Sequence, residues 1–301
     1  MAGGQERVLR RRIRSVQSTK KITRAMELIA ATRVVRAQQR AASARPYSEH
    51  ITAVIQDLAH TGTGLEHPLL RRSEGTGRFA LVVITSDRGL AGAYNTSVIR
   101  AAERELMARQ TEGRDYSLVL VGKKAEAYFR FRNYRIDAAF NGMSDTPTYD
   151  DARRLAEVVG EAFQSEQVDQ VDLVYTRFLS VGSQRVVVRR FLPLQALGRP
   201  EWAEAAPDGP EADYEYEPSP AAILAAILPR YVEARLFAAL LDAAASEHAS
   251  RQRAMKAATD NAEELITKLS RVMNRARQDA ITTEIMEIVG GAEALAQEAG
   301  G

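Results

Sequence analysis

Two stretches limit what this chain can fold into. Residues 5–58 contain no glycine and a single proline, Pro46, and residues 230–289 contain neither. In the first, apolar residues recur at Leu9, Ile13, Val16, Met26, Ile29, Ala37, Ala44, Tyr47, Ile51, Val54 or Ile55, and Leu58. Steps of three, four and seven mark a helix with a narrow apolar seam. The second stretch repeats the pattern at Val232, Leu236, Leu240, Ala243, Leu265, Leu269, Val272, Ala276 and Ala280. At 1.5 Å per residue, these helices would run to about 80 and 90 Å. A helix with one apolar stripe gains most of its stability from a partner, so the two are expected to pack as a coiled coil. The intervening chain leaves and returns, which makes that pair antiparallel. Ser219 before Pro220 supplies the start of the second helix, as a cap followed by proline at the first helical position. Pro46 and Pro229 are candidate kinks.

Between the helices the period changes. Phe79–Thr85 and Ser117–Val121 are short, continuous apolar runs of the kind that form buried parallel strands. Helical stretches are expected near 93–110, 123–132 and 149–165, with a weaker strand near 134–140. Runs at 172–178 and 184–191 flank Gly182-Ser183 and read as a hairpin. Alternating strands and helices predict a mostly parallel sheet covered on both faces. The expected fold class is α/β plus a long antiparallel α-helical coiled coil, with a Rossmann-like sheet domain between two rod helices. The expected divisions are an N-terminal helix at 1–60, a turn-rich linker at 61–77, an α/β domain at 78–198, an acidic, proline-rich segment at 199–218, and a C-terminal helix at 219–301.

Most site chemistries are excluded. The 301 residues include no cysteine, which removes disulfides, thiolate zinc sites and cysteine nucleophiles. The four histidines, His50, His60, His67 and His248, form no metal-ligand spacing, and none lies in residues 68–247 to serve a catalytic triad. No Walker A pattern occurs. Gly75-Thr-Gly77 precedes the first strand, whereas dinucleotide binding needs its glycines after the strand. Gly89 and Gly92 do follow the strand and read as a tight strand-to-helix turn. Asp87, Asp145, Asp150 and Asp151 read as caps and turn residues. No cofactor and no metal are expected. The longest apolar run, Ala221–Leu228, is far short of the roughly 20 residues that span a bilayer. The N-terminus has arginines but no apolar core of a secretory signal.

Charge is unevenly distributed. Residues 1–60 hold twelve Lys/Arg against four Asp/Glu, and residues 201–217 hold seven acids and no base. Two different partner surfaces are implied. The basic helix lacks interleaved aromatics and any recognised nucleic-acid module, so a coiled-coil face outranks nucleic acid.

Two segments carry a resemblance. The first is Ser15-Val-Gln-Ser-Thr-Lys-Lys-Ile-Thr-Arg-Ala-Met26, continuing to Arg33 and followed by Ala44-Arg-Pro-Tyr47. The second is Ser246-Glu-His-Ala-Ser-Arg251-Gln-Arg-Ala-Met255-Lys-Ala-Ala-Thr-Asp-Asn261, continuing through Asn274-Arg-Ala-Arg-Gln278-Asp-Ala-Ile-Thr282-Thr-Glu284 to Ala292. They closely resemble the two ends of the gamma subunit of bacterial F-type ATP synthase. Ser86-Asp-Arg-Gly-Leu-Ala-Gly-Ala-Tyr-Asn95 is similar to that family's first strand-to-helix turn.

The resemblance implies a rotor shaft without a catalytic site of its own, coupling rotation of a membrane c-ring to ATP synthesis and hydrolysis on a ring of alpha and beta subunits. It implies an epsilon subunit and the c-ring at the sheet domain, and a place on the cytoplasmic face of the bacterial membrane. Carried over residue by residue, ring contacts fall on Met26, Arg251, Arg277, Gln278, Thr282 and Glu284. An apolar tip held in the ring's sleeve falls on Ile281, Ile285, Ile288 and Val289. Tyr214 and Glu217 align with positions facing the c-ring. Met255 reads as a seam residue. Arg33 stands where the family commonly has lysine, His248 where it has a small or amide residue, and Asp279 where it has a small one. A coiled-coil adaptor without rotation and a nucleotide-dependent enzyme are the rival readings.

Overall fold

The computed structural model describes residues 2–60, 67–70, 77–194, 217 and 219–299. Helix α1 spans Ala2–His60 and helix α5 spans Pro220–Ala299. Each runs through its proline, Pro46 or Pro229. Between them lie β1 (Arg78–Ile84), α2 (Tyr94–Thr111), β2 (Asp115–Val121), α3 (Lys123–Phe131), β3 (Ala138–Phe140), α4 (Tyr149–Gln164), β4 (Gln170–Phe178) and β5 (Gln184–Leu192). A 3-10 turn occupies Pro68–Leu70. Residues 61–66 and 71–76 of the expected linker, and all of the acidic segment except Glu217, lie outside the described residues.

The chain forms two compact units, one from residues 1–29 and 252–301, the other from 30–251. Their borders cut through both long helices instead of falling at the helix ends near 60 and 219.

In the larger unit the five strands run in the order β3-β2-β1-β4-β5. β1 pairs in parallel with β2 and β4, β2 in parallel with β3, and β4 antiparallel with β5, the expected hairpin. Alternation along β1 sends its side chains to two cores. Phe79, Leu81 and Val83 pack with Val98, Ala102 and Leu106 of α2 and Phe129 of α3. Ala80, Val82 and Ile84 face the other way, in the core that holds Leu155 and Phe163 of α4. Leu228, Val232 and Leu236 of α5 and Ile51 and Ile55 of α1 complete that second core. The inner halves of the long helices are therefore one layer of the α/β domain.

In the smaller unit the helices are antiparallel. Lys20 Nζ meets Glu263 Oε1 at 2.9 Å, and the hydroxyls of Thr23 and Thr259 lie 2.8 Å apart. The seam of α1 steps by four and three through Leu9, Ile13, Val16, Lys20, Thr23 and Glu27. That of α5 steps likewise through Met255, Thr259, Ala262, Ile266, Leu269, Met273, Ala276 and Ala280. This is a heptad repeat, the signature of a coiled coil. It corrects part of the sequence reading: Ile29, Tyr47, Leu265 and Val272 are exposed, and Lys20, Thr23 and Glu27 hold seam positions. Met255 is buried in the seam as expected.

Candidate functional site

The carboxyl ends of the parallel strands are where an open α/β sheet offers a crevice, at the point where strand order reverses. Here that point lies between β1 and β4, and the loop after β1 starts beside it. The loop closes on itself. Ser86 N donates to Asn95 Oδ1 at 2.9 Å, and Asn95 Nδ2 donates to Ser86 Oγ at 2.8 Å. Gly92 sits at φ 56°, in the left-handed region that glycine enters without strain. Asp87 ties this loop to its neighbours: its carboxylate accepts from Lys123 N at 3.2 Å, Gly142 N at 3.0 Å and Ser144 Oγ at 3.0 Å. The expected turn and cap roles of Gly92 and Asp87 are their observed surroundings. Thr148 and Asp151 form a reciprocal capping box at the start of α4.

Helix α5 adds a buried polar cluster at this edge. Arg251 Nη2 donates to Glu247 Oε1 at 2.6 Å and to the Gly89 carbonyl at 3.2 Å. His248 Nε2 lies 3.1 Å from the Asp145 carbonyl, and its Nδ1 lies 3.5 Å from Arg251 Nη1. A neutral imidazole with its proton on Nε2 satisfies both contacts. Burial pushes the His248 pKa down, which favours that neutral form. Arg33 Nη1 of α1 donates to both carboxylate oxygens of Asp145 at 2.5 Å. Burial pushes Glu247 up to about 7, against the pull of Arg251. Asp145, Glu247 and His248 bring potential ligand atoms within 4.8 Å of one another. Both acids already carry a guanidinium, so the charge is balanced and the group reads as an ion-pair network.

The outer end of α5 has the opposite character. Extending the register of the Lys20 and Thr23 contacts places the start of α1 opposite about residue 280 of α5. Beyond it, residues 281–292 are exposed on every side. Ile281, Ile285, Ile288 and Val289 are each between 47% and 72% exposed, as is Met286. Four such residues on a single helix in water form an apolar surface that calls for a cover. Arg277, Gln278, Thr282 and Glu284 are exposed beside them.

The model of the ATP synthase family matches residues 5–295. The ATP synthase gamma chain of Frankia casuarinae is 51% identical over 297 residues, covering 97% of this chain and 98% of that one. The chain belongs to the ATP synthase gamma chain family. A chain in the central stalk and c-ring structure of Tetrahymena thermophila mitochondrial ATP synthase is similar at TM-score 0.58 and 25% identity. That match covers 79% of this chain and 99% of that one. A chain of the Euglena gracilis mitochondrial enzyme shares the fold at TM-score 0.64 and 19% identity, covering 97% and 95%. As a gamma chain it is a non-catalytic subunit of the complex and its central shaft.

The expected site residues of this gamma chain are not gathered at one place. Arg277, Gln278, Thr282, Glu284 and the apolar tip share the exposed end of α5, and Met26 is half-buried on α1. Arg251 differs: the residue is 7% exposed and its guanidinium is engaged by Glu247 and Gly89 of its own chain. Glu217 is exposed just ahead of α5, and Tyr214 lies outside the described residues. Sequence reasoning read Asp145 only as a cap or turn residue and gave Glu247 no role, so it missed their ion pairs. Only the four-residue spacing of Glu247 and Arg251 hinted at a pair. Among the described residues, no helix is long and apolar enough to cross a membrane.

Proposed function

We propose that the outer half of this shaft turns inside a ring of alpha and beta subunits, with α5 residues 277–289 as its bearing. The exposed tip carries the proposal: Ile281, Ile285, Ile288 and Val289 lie on a helix that outruns its partner. An apolar sleeve would cover them without fixing one orientation. Arg277, Gln278, Thr282 and Glu284 then meet loops of the catalytic subunits through exposed polar contacts, each worth about 0–1 kcal/mol and easily remade at three equivalent positions. Met26 belongs to the same proposed contact set. Ile22, Leu28 and Ile29, all more than half exposed on α1, add to the surface a ring would cover. The α/β domain would meet the epsilon subunit and the c-ring, the latter through Tyr214 and Glu217, at the cytoplasmic face of the bacterial membrane. Torque passes as a coupling free energy between rotor angle and nucleotide affinity on the ring, which by linkage is reciprocal.

The test is an alpha–beta ring assembled with and without the chain. A probe on the α/β domain is expected to turn during ATP hydrolysis in steps of about 120°, as three equivalent sites require. Failure to assemble, with all components folded, leaves the adaptor reading in its place. Met26→Lys puts a charge on the half-buried face where a methionine now packs. It is expected to lower the protons pumped per ATP hydrolysed while assembly persists, and an unchanged ratio removes Met26 from the contact set.

A further inference from the structure

The polar cluster at the sheet edge joins three parts of the larger unit. Asp145, in the loop between β3 and α4, holds α1 through its carboxylate and α5 through its carbonyl. Helix α5 reaches a second loop, after β1, through Arg251 and the Gly89 carbonyl. Asp87 and Ser144 lock the two loops together: Asp87 N donates to Ser144 Oγ at 2.9 Å, and Ser144 Oγ donates back to the Asp87 carboxylate at 3.0 Å. Each long helix is thus bonded to a loop system that is itself cross-braced. Glu247, His248 and Arg251 are all at least nine-tenths buried.

Position along the chain adds to this. The larger unit begins at Ala30 and ends at Arg251. Arg33 lies in the first turn after one border and Arg251 stands at the other. The bonds occur where both helices pass from the α/β domain into the coiled coil.

Chemistry suits a mechanical task here. Apolar packing is non-directional, so a helix can roll or slide against the sheet by trading one contact for another. A charge-assisted bond is directional: Arg33 Nη1, bonded to both oxygens of Asp145, holds its partner at a fixed distance. Rolling α1 about its axis breaks the Arg33–Asp145 pair, and rolling α5 breaks the contacts of Arg251 and His248. Two cations and two acids offset part of the cluster's desolvation by pairing, while burial still raises the pKa of the Glu247 carboxyl and leaves its Oε2 without a hydrogen-bond partner.

We propose that Arg33, Asp145, Glu247, His248 and Arg251 form a torsional clamp that fixes both shaft helices to the α/β domain. These are positioning residues: they carry torque between the proposed ring-bearing half and the α/β domain, and Arg251 acts within the chain rather than on the ring. The inference rests on the rotor reading above and deepens it.

The experiment uses the full chain assembled with an immobilised alpha–beta ring. The chain has no cysteine, so Glu112→Cys, at the exposed end of α2, gives the chain a single thiol for a probe. The readout is the angular spread of the probe during the pauses between steps, which reports torsional stiffness between ring and α/β domain. Asp145→Asn keeps the shape and removes the charge; it is expected to raise the angular variance about twofold. Arg33→Gln removes the charge and with it the charge-assisted bonds to both Asp145 oxygens, and is expected to raise it by a similar factor. Thr148→Ala removes the cap of α4 without touching the clamp; it is expected to lower the melting temperature and leave the variance unchanged. Unchanged variance in Asp145→Asn overturns the clamp, as does an equal rise in Thr148→Ala. Should Asp145→Asn not assemble, Arg33→Gln decides alone, and an unchanged spread there is equally fatal. A wild-type complex that assembles without stepping sinks the rotor reading first and is recognised before any variant is compared.

Discussion

Gly122→Ala is expected to destabilise the α/β domain by about 2–6 kcal/mol, because two penalties fall on one residue. Gly122 sits at φ 95° and ψ 138° between β2 and α3, in a region open essentially only to glycine. That strain alone costs about 1–3 kcal/mol. An added Cβ would also lie 2.7 Å from the carbonyl carbon of Thr85, 2.9 Å from its Oγ1, and closer still to its carbonyl oxygen. Thr85 cannot step aside: its hydroxyl donates to the Val121 carbonyl at 3.0 Å and accepts from Ala125 N at 3.0 Å. Overpacking of this kind adds about 1–3 kcal/mol. Thermal melts of the purified chain should drop by about 10 °C, given roughly 2–4 °C per kcal/mol at this size. Gly113→Ala separates the causes, since Gly113 has φ 81° with nothing within 4 Å of its would-be Cβ. It should cost only the strain. Equal losses in the two variants would remove the clash from the account.

Much of the α/β domain was legible in the sequence because its strands are fully buried and its turns are chemically marked. The continuous run Phe79–Ile84 allowed little else, and Gly182-Ser183 announced the hairpin. The coiled coil was legible in existence and less so in phase. Its seam carries Lys20, Thr23 and Glu27, polar residues that no apolar template selects. Each has a partner that makes burial tolerable: Lys20 pairs with Glu263, Thr23 with Thr259, and Glu27 with Arg24 at 2.9 Å. Ile22, Leu28 and Ile29 meanwhile stand on the exposed face and drew the expected stripe off line. A shaft that must present apolar surface outward defeats the assumption that apolar residues mark the inside.

The site was legible where it is local and illegible where it is not. The α5 tip was named by carry-over from the resemblance, and its residues lie together because they sit within three turns of one helix. Arg33 and His248 stood out only as departures from a family pattern. Nothing in the chain order places either against Asp145, more than a hundred residues from each. The cluster is a product of topology: the loops after β1 and β3 lie side by side at one sheet edge, and α1 and α5 both cross it. The contact of Arg251 with Gly89 was hidden for the same reason, since the two are 162 residues apart.

Asp242→Asn is expected to stabilise the chain above neutral pH and to flatten its pH dependence. Asp242 lines a cleft of about 650 Å³ between α1, α4, α5 and the end of β4, bordered by Tyr47, Tyr149 and Phe237. Burial pushes its carboxyl up to about 7, although Arg177 of β4 and Arg45 of α1 face it and pull the other way. The sign follows from proton counts. Below the ordinary carboxylate range, folded and unfolded chains both hold the proton and Asp242 costs nothing. Between about pH 4 and 7 the unfolded chain releases it while the folded chain keeps it, so stability falls as pH rises. Above about 7 the loss is complete, at about 2–4 kcal/mol from a shift of roughly three units. Glu247, pushed up to about 7 by burial, adds a loss in the same window. The amide keeps the volume and never ionises, so it removes one of the two losses and leaves the other. Urea unfolding at pH 5 and pH 8 should therefore show the variant more stable than the parent at pH 8, with a smaller decline between the two. An identical decline in both proteins would mean that Asp242 is already ionised at pH 5, held there by its two arginines.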